Sequence, residues 1–117
     1  MFRDPYVRLA TVKKIVDGDT IDVTVDCGFR RFSVERLRLS GIDTPEIRSS
    51  NPEEKANGFR SKEYVEKALP IGSNVVIRTE KGDVFGRWLA EVYYKDSEGV
   101  DRYLNQELLN EGLAVTF

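Results

Sequence analysis

Residues 17–46 read DGDTIDVTVDCGFRRFSVERLRLSGIDTPE, and the fold is decided inside this stretch. From Thr20 to Asp26 the residues alternate, with Ile21, Val23 and Val25 on one face and Thr20, Asp22, Thr24 and Asp26 on the other. A period of two marks a half-buried strand. "CGF" (27–29) supplies a turn glycine, and "RRFSVERLRLSGI" (30–42) reads as the next strand. Upstream, "YVRLATVKKIV" (6–16) is rich in β-branched residues and reads as a strand broken at "DGD" (17–19). Three strands in series make a meander.

Beyond it, "DTPEIRSSNPEEKANG" (43–58) carries two prolines and little apolar content, so its first part reads as a loop. A helix is expected over 61–69, with Tyr64, Val65, Ala68 and Leu69 on one side and Pro70 as its stop. "SNVVIRTE" (73–80) and "RWLAEVYY" (87–94) read as strands joined by "KGDVFG" (81–86), and "KDSEGV" (95–100) as a hairpin turn. The end reads as a short helix with Leu104, Leu108 and Leu109 inward, Asn105 as N-cap and Gly112 as stop. This order predicts one α+β, mainly β domain over 1–117. Its expected form is a five-stranded Greek-key barrel of the OB type, with a helix between the third and fourth strands and a short C-terminal helix.

Composition narrows the chemistry. The 117 residues include no histidine and one cysteine, Cys27. That excludes Ser-His-Asp and Cys-His catalysis, nearly all zinc enzymes and an intramolecular disulfide. Catalysis would have to use carboxylates, arginines, lysines, hydroxyls or a hard metal ion. A net charge of −2 argues against a protein that coats nucleic acid generally, but not against arginines acting locally on a phosphate. No apolar run reaches the length of a membrane span, so no membrane is expected. The N-terminus "MFRDPYVRLA" shows no signal peptide, which suggests the cytoplasm while leaving a mature secreted form open.

Two acidic turns stand at strand ends: Asp17 and Asp19 in "DGDT", Asp43 and Glu46 in "DTPE". Either alone is an ordinary solvated turn. An EF-hand loop starting at Asp17 fails, because its fifth and sixth positions are Ile21 and Asp22. The Asp-Thr-Gly turn of aspartic proteases fails at Pro45. In a small barrel, however, the start of the second strand and the end of the third can be neighbours. Asp19 and Asp43 can then converge on one cation, with Ca²⁺, Mg²⁺ or Mn²⁺ the suitable metals. Arg38 and Arg87 sit on strands, where most arginines face solvent or an ion pair. A guanidinium fork also suits phosphate oxygens, so the pair can serve a phosphodiester.

Together "IVDGDTI" (15–21), "RLRLSGIDTPE" (36–46), "VFGRWLAEVY" (84–93) and "LNQELLNEGLA" (104–114) resemble the staphylococcal-nuclease-like (thermonuclease) domain family, in its order and near its spacing. The resemblance implies the same barrel and Ca²⁺-dependent cleavage of DNA and RNA to 3′-phosphate products. It implies Asp19, Asp43 and the Thr44 carbonyl as calcium ligands, Glu46 as the carboxylate that orients or deprotonates the attacking water, and Arg38 and Arg87 as phosphate clamps. Asp17 would flank the metal turn from behind. A monomer acting on single-stranded or locally melted nucleic acid is expected.

The chain also departs from that pattern. Family members carry tyrosines shortly after "GLA", and none occurs here between Ala114 and Phe117. A Lys-Tyr pair common before the second arginine is replaced by Val84 and Phe85, leaving Phe85 to stack on a base or to pack in the core. The alternative reading is a non-catalytic nucleic-acid- or protein-binding barrel, and the last is a structural domain with Asp19, Asp43 and Arg38 in a buried ion network. Such networks are rarely net stabilising.

Overall fold

The structure, a computed structural model, describes residues 6–82 and 86–117. In chain order the elements are β1 (Val7–Asp17), β2 (Thr20–Asp26), β3 (Phe32–Leu39), the two-residue β4 (Ile42–Asp43), α1 (Pro52–Ala68), β5 (Asn74–Gly82), β6 (Trp88–Lys95), β7 (Asp101–Tyr103), α2 (Leu104–Asn110) and β8 (Val115–Thr116). β1, β2 and β3 form the expected antiparallel meander. After α1 the chain returns as β5 beside β1, and β6 folds back along β5. The barrel closes where β6 meets β3 in parallel, pairing Leu37 with Trp88, Arg38 with Leu89 and Leu39 with Ala90. Parallel closure requires a long crossover, which α1 and β5 provide. The result is the mainly β, OB-type barrel with a helix between its third and fourth strands.

The alternating face of β2 points inward as read, with Ile21 and Val23 fully buried against Leu37, Ile77 and Val92. α1 covers this core with Val65 and Leu69, and α2 does so with Leu104 and Leu108. No described helix is long and apolar enough to cross a membrane.

Local details correct the sequence reading. α1 begins at Pro52, nine residues ahead of the expected start at residue 61. Asn51, in extended conformation, accepts from the Glu53 N–H at 2.9 Å and the Glu54 N–H at 3.3 Å, Pro52 opens the helix, and two glutamates favour its positive end. Capping thus outweighs the low apolar content of the first turns. α2 begins at Leu104 with Tyr103 at the cap position, so Asn105 is not its N-cap. The Asn105 side chain instead accepts from Val92 N–H and donates to the Ser40 and Ala90 carbonyls, each at 3.0 Å. Thr20, expected on the polar face, is buried, because its hydroxyl donates to Asp19 Oδ1 at 3.0 Å. β4 and β8 are short additions the pattern did not announce, β7 follows the hairpin turn expected at 95–100, and Val84 and Phe85 lie outside the described residues.

Candidate active site

Antiparallel register places Thr20 opposite Arg38, so the start of β2 and the end of β3 meet. The Leu39 N–H donates to the Asp19 carbonyl at 2.8 Å and fixes that junction. Arg38 is buried here, with 8% of its surface exposed. Its Nη1 donates to the Ile42 carbonyl at 3.1 Å, and its Nη2 donates to Asp43 Oδ1 at 3.0 Å and stands 3.5 Å from Asp19 Oδ2. Asp19 Oδ2 also accepts the Thr44 N–H at 3.2 Å. Asp19 and Asp43 therefore do come together, and the group between them is a guanidinium.

The C-terminus completes this knot. β8 pairs with β4, placing Val115 opposite Asp43, and the Phe117 N–H donates to the Gly41 carbonyl at 3.0 Å. The Phe117 ring then lies 4.7 Å from the Arg38 guanidinium, a cation–π contact.

Both acidic turns lean on α1 through glycine. A Cβ at Gly18 would stand 2.7 Å from Ser61 Cβ and 3.0 Å from Thr44 Oγ1. One at Gly58 would stand 2.7 Å from the Pro45 carbonyl and 2.9 Å from the Glu46–Ile47 peptide. Ser61 is tied down as well, donating to the Leu113 carbonyl at 2.6 Å. The helix therefore sets the height of the Asp43–Glu46 turn above the barrel.

Between that turn and α1 opens a cleft of about 510 Å³. Asp43, Thr44 and Glu46 line one side, Asn57 and Arg60 the helix side. Arg60, which the sequence reading missed, is exposed and has neither an ion pair nor a side-chain hydrogen bond among the described residues. The signal was its helical spacing from Glu53 and Asn57, hidden because the helix was expected only over 61–69. Arg87 does not line the cleft; it is half-buried, two residues before Leu89, the β6 partner of Arg38.

Burial raises the Asp17 carboxyl to about 6, and the nearby Asp19 and Glu46 carboxylates push the same way against the Gly18 N–H and Lys62. A site that opposes a further negative charge is also one that would welcome a cation.

The family model described as staphylococcal nuclease homologue matches residues 36–117. The chain belongs to this family. A thermonuclease of Staphylococcus intermedius is 35% identical over 107 residues, covering 88% of this chain and 56% of that protein. An Escherichia coli O157:H7 protein described as an uncharacterized endonuclease is 32% identical over 93 residues, covering 80% of this chain and 53% of its own length. A protein of Methanocaldococcus jannaschii, described as uncharacterized, is 32% identical over 122 residues, with 88% and 56% covered. The chain thus spans about half the length of the curated relatives it matches. Within the staphylococcal nuclease family match fall Arg38, Asp43, Thr44, Glu46 and Arg87, while Asp17 and Asp19 precede it.

The donor set can be tested for a metal on its own chemistry. Asp19, Asp43 and Thr44 offer only oxygens, and Thr44 Oγ1 is buried without a hydrogen-bond partner. Among the described residues no three acidic, histidine or cysteine side chains form a cage. An all-oxygen donor set suits a hard cation such as Ca²⁺, Mg²⁺ or Mn²⁺, with water completing the shell, rather than a metal that needs nitrogen or sulfur.

Proposed function

We propose that this chain is a nuclease that hydrolyses phosphodiester bonds of DNA or RNA, in single strands or locally melted duplex, leaving 3′-phosphate ends. The observation that supports it most is the convergence of Asp19, Asp43 and Arg38 beside a cleft that Glu46 shares. Nuclease-named relatives support the same reading.

In this reading Asp19, Asp43 and the Thr44 carbonyl would hold Ca²⁺. Bound there, the ion would act as a Lewis acid on the phosphoryl group. Glu46, exposed at the cleft, takes the proton of the attacking water as the bond from phosphorus to the 5′ oxygen breaks, and that oxygen leaves with a proton from solvent. Arg38 is held rigid by its acids and the Ile42 carbonyl, and its fork keeps N–H donors over for a phosphate oxygen. Preorganisation of that kind favours the charge that builds in the transition state over the ground state. Arg87 supplies the second guanidinium, and Arg60 steadies a neighbouring phosphate from the helix side. Asp17 stands behind the metal turn and tunes its charge, while Phe85 remains a candidate for base stacking.

Digestion of plasmid and RNA with Ca²⁺ or with chelator tests the proposal on wild type and Arg87→Ala. Cleavage is expected with Ca²⁺ alone, and Arg87→Ala should slow it by roughly a hundredfold or more, the typical effect of losing one transition-state donor. Digestion indifferent to chelator would remove the calcium. Single strands bound but never cut would leave the non-catalytic module, with Arg38 serving to pair Asp19 and Asp43.

A further inference from the structure

The hairpin joining β2 to β3 has a conformation that its sequence does not favour. Arg31 N–H donates to the Gly28 carbonyl and Cys27 N–H to the Arg31 carbonyl, both at 2.9 Å, and Asp26 Oδ1 accepts from Gly28 N–H at 2.8 Å. The central residues Phe29 and Arg30 have φ of 54° and 61°. Left-handed backbone at both positions is the mark of a type I′ turn, whose preferred residues are Asn and Gly. Phe and Arg sit there against local preference, and such conflicts concentrate where function maintains them.

The side chains this turn displays stand mostly in solvent. Phe29 is 97% exposed and Phe32, the first residue of β3, 65% exposed. Arg30 and Arg31 are exposed between them and take no side-chain partner among the described residues. Scattered apolar residues on a surface are ordinary. Two phenylalanines enclosing two unpaired arginines on a strained tip are a different case.

We propose that this tip is a second contact for single-stranded nucleic acid, with bases stacked on Phe29 and Phe32 and phosphates held by Arg30 and Arg31. The inference rests on the nuclease reading and extends its substrate site. Aromatic faces with adjacent cations are how OB-type barrels hold single strands without reading sequence. β2 runs from the acidic knot at Thr20 to the tip at Asp26, a reach of about 20 Å at strand rise. A strand of the roughly 4–16 nucleotides that an OB fold accommodates can cover both ends. A lipid surface is the weaker occupant: two cations on a chain of net charge −2 give little hold on a membrane, which ordinarily needs two attachment signals.

The test replaces the turn by its preferred residues, Phe29→Asn with Arg30→Gly, which should fold better and bind worse. The double variant is expected to melt a few degrees higher than wild type. Fluorescence anisotropy with a labelled oligothymidylate of about 16 nucleotides, in chelator, should show affinity about tenfold weaker or worse. Phe32→Ser, which leaves the turn residues untouched, should weaken binding in the same direction. Under cleavage conditions the double variant's KM should rise more for this oligonucleotide than for a trinucleotide too short to reach the tip. Unchanged affinity in both variants overturns the inference while leaving the nuclease reading standing. Wild type that neither binds nor cuts the oligonucleotide overturns both. Vesicles of phosphatidylcholine and phosphatidylserine that bind wild type but not the double variant, with oligonucleotide affinity intact, would reassign the tip to membranes.

Discussion

Asp17 joins the chemistry of the site to its stability through one proton. Its carboxyl titrates near 6 in the fold, raised by burial and then by Asp19 and Glu46, against an ordinary value of 3.8. The folded chain therefore holds this proton more tightly than the unfolded chain, and the native state is favoured least once the group has ionised. Stability is lost as pH rises from about 4 through about 6, and the loss is complete above that window. Because the group is only half-buried, solvent screening keeps the effect to about 1 kcal/mol. Asp17→Asn should keep an acceptor for the Gly18 N–H, now bonded at 2.9 Å, and remove the charge. In chelator, urea unfolding should find the variant more stable than wild type at pH 8 and no better at pH 3.5; a gain that persists in acid would sink the assignment. The role of Arg38 was only partly legible at this scale. Its sequence neighbours suggested a phosphate ligand, but its burial depends on cross-strand pairing with Thr20 and on Phe117 at the far end of the chain. Neither is a local property.

α1 shows what capping contributes and what periodicity conceals. Its apolar face from Tyr64 onward was legible, because Val65 and Leu69 recur at helical spacing against the barrel. Its first turns were not: they bury only Gly58 ahead of Ser61 and so carry no apolar stripe. What begins the helix is Asn51 with Pro52, Glu53 and Glu54, a start signal readable from residue types alone. The missed turns carry Asn57 and Arg60 into the cleft, so an error at an element boundary became an error at the site. Asn51→Ala should remove the acceptor of two helix N–H groups and cost about 1 kcal/mol. Since Gly58 supports the Pro45–Ile47 backbone from the same helix, cleavage should fall along with stability, measured as rate on single-stranded DNA beside the urea midpoint. Full stability in Asn51→Ala would show that tertiary packing alone fixes the helix start.

Across the whole molecule, the barrel is closed at the seam between β3 and β6, where three residue pairs join in parallel among the described residues. A meander was legible from alternation, but this seam was not, since parallel pairing leaves no signature at either strand. Asn105, misread as a local cap, fastens it from α2. Its buried amide satisfies Val92 N–H on β6 and the carbonyl of Ser40, just beyond β3, while sharing the Ala90 carbonyl with the Ser40 N–H at 2.9 Å. Asn105→Ala would leave Val92 N–H and the Ser40 carbonyl without their partner, and Ala90 would keep its own. Unmet buried groups cost about 1–3 kcal/mol each, so the variant should lose about 2–6 kcal/mol. Asn105→Asp distinguishes this account from simple cavity formation: it keeps the acceptor for Val92 and turns a carboxylate toward two carbonyls. That repulsion raises the new carboxyl's pKa, so Asn105→Asp should be the less stable at pH 8 and recover part of its deficit as the pH falls and it protonates. Urea unfolding at both pH values reads the difference, and hydrogen exchange should quicken at Val92, whose N–H loses its partner in the alanine variant. An alanine variant within about 0.5 kcal/mol of wild type, the range of a neutral surface change, would mean that the seam holds without Asn105. Because Ser40 stands two residues from Arg38, a loosened seam should also disturb the knot of Asp19, Asp43 and Arg38, lowering cleavage more than the unfolded fraction explains.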